Sequence, residues 1–486
     1  MHNSNVRHAW RFGSIVVTLG AALSITACGS SDDGGIAVDE DTGIGTDDTG
    51  TDSGTDTAKT DSTTDGGTDG GTDGGTDGGT DGGTDGGTDG GGDSVADGTT
   101  IDAADTAVDA VDTGDAGCGA LAATDIDVYV DKAATTPSVG TLACPFHTIV
   151  EATTLGAPAS GTRTIHVKGG TGTTSVVYTE TASVEVKTNV VLEGDGTAVT
   201  KILGGGACAE GTGSCTVLVR GGGTVDGFTI GGTGVVTSAT GKAIVKNTLV
   251  TGTTADGIRA LGNVDLGPNI QSNANGGNGL TVSGSGAIHV IAGTGVINEF
   301  NANTGGGIVT TGTALLTFDG GSASNNKADG ILLNAAAASV ISANTVTNLV
   351  AESNGFDSPT ATNGHSGVVV GATASLKLRG SVLLQNGGSG LIYNHGTTNS
   401  LDIGNLATDL GGNTFATAAT ITRNLKAGIC AISPQTPQGA EGNKWSTCPP
   451  VTRSVAECSA TFTYADFAYK STTTVTITTT SCAVGP

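Results

Sequence analysis

The sequence predicts an all-β chain built around a parallel β-solenoid, and three observations carry that expectation. First, a glycine followed by Ile, Leu or Val opens a short apolar run at Gly257-Ile258, Gly279-Leu280, Gly307-Ile308, Gly330-Ile331, Gly367-Val368, Gly390-Leu391 and Gly428-Ile429. The intervals are 22, 28, 23, 37, 23 and 38 residues, so a period just over 20 recurs, with room for loop insertions in the two long intervals. Second, Asn-rich turns precede the next glycine at Ser272–Asn275, Asn301–Asn303, Ser324–Asn326 and Gln385-Asn386. Asn tolerates left-handed turns and stacks into hydrogen-bonded ladders, which suits the corners of stacked coils. Third, 83 glycines and a high density of Thr and Val leave no sustained 3.6-residue apolar pattern, which excludes helical solenoids. A coil of this kind buries its inner residues only by stacking on its neighbours.

Taken in chain order, residues 1–27 read as an export signal. Arg7 and Arg11 precede the apolar stretch Phe12–Ala27, which ends Leu23-Ser24-Ile25-Thr26-Ala27-Cys28. Gly13 and Gly20 break that stretch, and it falls short of the roughly 20 residues a membrane-spanning helix needs. The ending resembles the lipobox of bacterial lipoproteins, which implies that Cys28 is acylated and becomes the first mature residue. Membrane association through a lipid anchor, at the bacterial outer membrane or cell surface, is the expected localisation.

Residues 28–117 read as a disordered tether. Seven copies of Thr-Asp-Gly-Gly run from Thr64 to Gly91, and Gly29 to Gly117 holds 24 Asp/Glu against the single Lys59. That segment therefore accounts for −23 of the chain's formal −26 and leaves the remainder near balance. Without aromatic residues and with one sign of charge, it cannot bury enough apolar surface to offset the entropy of ordering. As a Gly-rich coil it spans on the order of 50 Å. The expected cofactor set is none, beyond calcium held loosely by the carboxylates. The calcium-binding nonapeptide and the closing Glu of an EF-hand are both absent from this run.

Eight cysteines remain beyond Cys28: Cys118, Cys144, Cys208, Cys215, Cys430, Cys448, Cys458 and Cys482. An even number in an exported chain predicts four disulfides, with 105 possible connectivities. Proximity in sequence favours 118 with 144, 208 with 215, 430 with 448, and 458 with 482. No CxxC pair supports a zinc site.

Residues 118–161 form the expected N-terminal cap. Asp127–Asp131, Cys144–Ala152 and Thr162–Gly170 read as strand, helix, strand. Tyr129-Val130-Asp131, Pro145-Phe146, Thr148-Ile149, Ala152, Ile165-His166-Val167, Gly170, Tyr178-Thr179-Glu180 and Val191–Gly194 together resemble the N-terminal cap of bacterial right-handed parallel β-helix proteins of the pectin-lyase-like superfamily. With the coils behind it, the resemblance covers about Asp125 to Trp445. It implies a right-handed parallel β-helix over 162–448 with a short helical cap, and residues 449–486 are expected to close the other end with a disulfide-bonded β cap. An uncapped solenoid would expose apolar side chains and open strand edges. About ten to twelve coils are expected, at roughly 4.8 Å of axis each.

Enzymes on that fold act mostly on acidic polysaccharides, so their motifs set a test. The resemblance to polygalacturonases would require Asn-Thr-Asp, an Asp-Asp pair and Gly-His-Gly, which bring carboxylates a sugar-width apart. Gly364-His365-Ser366-Gly367 is the nearest approach, no Asp-Asp occurs after Cys118, and the epimerase Asp-Pro-His is missing. A polar row remains. His289, Thr317 and Lys377 lie ten residues past Gly279, Gly307 and Gly367, with Asp265 eight past Gly257. Period-2 alternation turns Ile288, Val290, Leu316, Phe318, Leu376 and Leu378 inward, so His289, Thr317, Asp319, Lys377 and Arg379 are expected to point outward along one sheet. Val340, ten past Gly330, is expected to interrupt the row. These five polar residues, with Asp265, are the candidate ligand-binding set; no catalytic set is legible.

Two functions fit. One is a surface lipoprotein whose monomeric β-helix serves display, adhesion or polysaccharide binding without catalysis; the other is a polysaccharide lyase or hydrolase with an atypical site. Nucleic acid is not an expected partner, given the balanced charge of the body and the acidic tether. With Phe, Tyr and Trp at 9, 5 and 2, neither reading includes an extensive aromatic sugar platform. The lipobox reading has a direct test: Cys28→Ala is expected to release the protein from the membrane fraction or leave its precursor uncleaved, and a processed form that stays membrane-bound would refute it.

Overall fold

The computed structural model describes residues 118–486 apart from 136, 211–212, 335–342, 356–363, 397–398, 405–407, 435–437, 461–462, 472–473, 480 and 486. Cys28, the export signal, the tether with its calcium reading, and Val340 lie outside the described residues. No helix among the described residues is long and apolar enough to cross a membrane.

Short strands stack into three long parallel sheets, so the chain is a parallel β-helix. The first sheet has 11 strands, from Asp127–Val130 to Leu401–Asp402; the second has 8, from Val176–Glu180 to Leu349–Val350; the third has 12, from Val184–Val186 to Thr452–Ser454. Each coil visits the first, second and third sheets in turn, as Lys242–Lys246, Thr248–Thr251 and Ile258–Ala260 do. The one antiparallel strand pair described is a hairpin, Gly206–Ala207 with Ser214–Cys215.

The registers account for the sequence pattern. On the first sheet, Val128, Ile165, Leu192, Val225, Val245, Leu266, Val290, Phe318, Val346 and Leu378 face one another from coil to coil, and all are buried. On the third sheet the residue after each repeating glycine forms a second inner column: Ile258, Leu280, Ile308, Ile331, Val368, Leu391 and Ile429. Most of these side chains thus pack on an aliphatic neighbour above and below, which close-packs the core, and buried aromatic residues such as Phe300, Phe318 and Phe415 fill the wider parts.

The glycine before that column is required by a ladder of buried asparagines at the corner between the second and third sheets. Asn275, Asn303, Asn326, Asn354, Asn386 and Asn424 are each at most 2% exposed. Each side-chain amide from Asn275 to Asn386 donates to the Oδ1 of the next Asn at 2.9–3.0 Å. The backbone N–H of each donates to the same oxygen at 3.0–3.1 Å. At Gly330 a Cβ would stand 2.5 Å from Gly367 O and 2.8 Å from Asn354 Nδ2, so only glycine leaves room. The left-handed position falls one residue before the ladder, and it holds Ala274, Ala302, Asn325, Ser353 and Gln385. At this corner Asn therefore serves the ladder, and the left-handed turn is not its task. At the corner between the first and second sheets, Asn247, Asn269 and Asn348 do take the left-handed conformation.

The N-terminal cap explains the motif residues. Its helix runs Ile149–Thr154, later and shorter than the sequence suggested, because Phe146 bridges to Val130 and Thr148 caps the helix. Thr148 Oγ1 accepts from Glu151 N–H, and the Glu151 carboxylate accepts from Thr148 N–H. Glu180 Oε1 accepts from Ile149 N–H at 2.9 Å, and Tyr178 Oη donates to Lys168 O at 2.7 Å. Burial pushes the Tyr178 hydroxyl up to about 12.

Four disulfides form, and two differ from expectation. Cys118–Cys144 and Cys208–Cys215 join as sequence proximity indicated. Cys430 pairs with Cys458, however, and Cys448 with Cys482. The reason is the stacking of neighbouring coils: Cys430 lies on Ala427–Ile432, which pairs with Ala465–Lys470, and Cys458 lies on the segment leading into that strand, while Cys448 follows Lys444–Trp445, which pairs with Ala483–Val484. Cys430 points outward from the third sheet above Ala468, while Cys482 precedes Ala483, which pairs with Lys444.

The ladder separates two adjacent residues sharply. Asn326→Ala removes an acceptor that serves both the backbone and the side chain of Asn303 and leaves those buried donors unsatisfied, an expected loss of about 2–4 kcal/mol. Asn325→Ala, exposed and at a turn position where other coils carry Ala, is expected to cost less than about 1 kcal/mol. Denaturant midpoints of the two variants check this; equal losses would contradict the ladder's role.

Candidate functional site

The polar row is present on the outer face of the first sheet, in the register expected. Ile244, Asp265, His289, Thr317, Thr345, Lys377 and Asp402 occupy successive rungs. Thr345, five residues later than Val340, takes the rung where an interruption was expected; the longer interval after Gly330 shifts the count, not the stacking. Inner neighbours Ile288, Val290, Leu316, Phe318, Leu376 and Leu378 are all buried, as alternation requires.

Along the row the charged groups fall into separate ion pairs. Lys242 Nζ lies 2.5 Å from Asp265 Oδ2, because the two leave neighbouring strands side by side. His289 Nε2 lies 2.6 Å from Asp319 Oδ2, with both side chains about two-fifths exposed. Asp319 holds its place by donating its N–H to Val290 O. Thr317 is the next rung after His289.

At the far end Arg379 is the centre of a four-membered cluster. Its guanidinium reaches Asp409 through Nε at 2.9 Å and Nη2 at 2.7 Å, and Asp402 through Nη2 at 2.7 Å. Lys377 Nζ adds a 3.4 Å contact to Asp409. Forked contacts of this kind fix geometry as well as charge. The Arg379 hydrogen bonds and charge, with Lys377, pull the Asp409 carboxyl down to about 2. His365, the nearest approach to a Gly-His-Gly motif, stands on a different corner with Asp329 at 3.6 Å. The Asp329 carboxylate holds the His365 ring above its ordinary range. No second carboxylate accompanies it among the described ion pairs.

A feature not singled out from the sequence lies at the N-terminal end of the same sheet. Tyr129, Val130, Asp131, Leu142, Pro145, His166, Val167, Lys168 and Asp195 line an open cleft of about 490 Å³. Tyr129 and His166 stack with centroids 5.1 Å apart. His166 stands between two carboxylates, with Nε2 3.0 Å from Asp127 and Nδ1 3.2 Å from Glu193. Lys168 Nζ lies 2.6 Å from Asp131 Oδ2. Alternation turns Tyr129 and His166 outward, because Val128, Val130, Ile165 and Val167 beside them are buried. Among the described residues no group of three or more His, Cys, Asp or Glu is placed to hold a metal ion.

Fold and site together define a parallel β-helix whose outer first sheet carries paired charges along its length and a cleft at one end. No protein-family model matches the chain, and no curated protein matches it in sequence. Among solved structures it is similar to the A-module of the mannuronan C-5 epimerase AlgE4 of Azotobacter vinelandii, at 14% identity over 70% of this chain and 94% of that one, with a TM-score of 0.32. The AlgE6 A-module of the same organism gives 14%, 69%, 93% and 0.27. ORF18 of Geobacillus virus E2 gives 11%, 73%, 60% and 0.29. Scores this low carry no argument about activity, and the fold assignment rests on the strand registers.

The Arg379 cluster sets a pH dependence. A depressed carboxyl contributes stability above its ordinary value, near 3.8, and loses it as pH falls through about 2. Arg379→Gln is expected to return the Asp409 titration midpoint toward the ordinary range, read from its carboxyl carbon shift; an unmoved midpoint would contradict the assignment.

Proposed function

We propose that this chain is a lipid-anchored cell-surface lipoprotein whose β-helix, of the pectin-lyase-like kind, acts as a polysaccharide-binding or adhesion module without catalysis. The polar row carries the proposal. Its rungs recur at roughly 4.8 Å on a stiff sheet, so it offers an extended ligand a fixed pattern of carboxylates, cations and hydroxyls. Each charged member already has an opposite charge within contact distance. That arrangement favours recognition over an acid–base pair poised for bond cleavage, which needs groups with separated proton affinities aimed at one reacting atom. The apolar stretch ending at Cys28 and the acidic tether support the anchored reading, since they place a soluble domain well clear of a membrane.

The catalytic alternative draws on the His289–Asp319 pair, in which a carboxylate orients an exposed imidazole. One experiment separates the two. The full-length chain is titrated with oligouronates and neutral oligosaccharides while unsaturated-uronate absorbance and reducing ends are followed. Binding without product, weakened about tenfold or more by Lys377→Glu, is the expected outcome. Product that vanishes in His289→Ala would establish the enzyme reading, and neither binding nor product would remove the glycan reading altogether.

A further inference from the structure

We propose that the N-terminal cleft is a binding site for a saccharide bearing a free ammonium group, an amino sugar of the glucosamine type. This rests on the glycan-binding reading above and adds to it a separate site and a ligand class. The cleft's volume, about 490 Å³, lies within the range that encloses a small ligand. Leu142, 73% exposed, and Pro145 give it an apolar wall beside the stacked Tyr129 and His166 rings. Such a wall offers the apolar face of a sugar ring a surface that leaves water on contact.

The charge of the cleft selects among sugars. Asp131 and Asp195 line it, and Asp127 and Glu193 sit against His166 at its edge. The one lysine or arginine among the described residues that line it, Lys168, is engaged by Asp131. Partial burial works against ionisation of Asp131, but the Lys168 ammonium and the Ala133 N–H outweigh it and hold the carboxyl below its ordinary range. Asp195 Oδ2 accepts from Gly169 N–H at 2.7 Å, which fixes the carboxylate and leaves Oδ1 for a ligand. A uronate entering here would meet a surplus of negative charge, whereas an ammonium would gain charge-assisted hydrogen bonds. The opposite end of the same sheet, with Lys377 and Arg379, lacks that surplus.

The test is calorimetric titration of the full-length chain with a glucosamine hexamer in mildly acidic buffer, where its amines are charged. An N-acetylglucosamine hexamer, a mannuronate hexamer and a lysine tetramer serve as competitors. The glucosamine hexamer is expected to bind most tightly, and Glu193→Gln to weaken it about tenfold. Leu142→Arg adds a cation at an exposed position that folding does not need, so it is expected to weaken binding at least as much with an unchanged melting curve. Equal binding of the neutral or acidic hexamer or of the lysine tetramer, or indifference to both variants, would overturn the proposal. Glycan binding that responds to Lys377→Glu but not to the cleft variants would remove this site while sparing the broader reading. No glycan binding of any kind would remove both.

Discussion

The chain of amide hydrogen bonds through Asn275, Asn303, Asn326, Asn354, Asn386 and Asn424 is the constraint on which the central coils depend. A primary amide is costly to bury alone, because its donors and acceptor give up water. Stacked in register, each amide gives its neighbour what water would have supplied, and in a low-dielectric interior the bonds polarise one another. The arrangement is therefore cooperative: a coil that loses its Asn also strands the donors of the coil before it. The glycine column follows from the same requirement, since the strand entering the third sheet passes within van der Waals distance of the amide and of the next strand's carbonyl. The aliphatic residue after each glycine is then committed to the interior. Asn, Gly and aliphatic positions that look like three separate habits of the sequence are one packing solution.

That solution makes the outer faces predictable surfaces. With the backbone locked from coil to coil, outward side chains stand on a common lattice, and their electrostatics reduce to which charges fall on adjacent rungs. On the first sheet, Lys242 meets Asp265, His289 meets Asp319, and Arg379 gathers Asp402 and Asp409. The His289–Asp319 pair is about two-fifths exposed, and a pair so placed contributes little stability, while Arg379 at 14% is the most sheltered member. The value of these pairs is in the pattern they fix. The N-terminal cleft departs from it, because there carboxylates outnumber cations around a concave, partly apolar surface.

Much of this was legible in the sequence. His289, Thr317 and Lys377 fall in the expected register because two local rules, a ten-residue offset from the repeating glycine and period-2 alternation, combine inside their coils. What was not legible depends on neighbours a coil away. Lys242, Asp402 and Asp409 carried no local signal that they would meet Asp265 and Arg379. Proximity along the chain does not pair the last four cysteines for the same reason, since Cys430 and Cys458, 28 residues apart in sequence, are brought together by the pairing of neighbouring coils. The ten-residue offset from Gly330 points to Val340, whereas Thr345, fifteen residues on, holds the rung. Tyr129 and His166 belong to the cap motif, yet the cap also forms a cleft wall.

The asparagine ladder has a beginning and an end. Thr253 opens it by donating its hydroxyl to Asn275 Oδ1, and Asn424 closes it by turning its amide to two main-chain carbonyls, Leu383 O and Phe415 O. Between those terminators every rung accepts from one side and donates to the other, so any interior rung is interchangeable with its neighbours. A gene duplication that copies one whole coil inside this span would extend the protein without opening an unsatisfied amide, whereas one that copies a terminator would leave two incompatible ends facing each other. The fold thereby favours growth in whole turns from its middle, and the length of such a protein is a quantity that evolution can adjust by counting.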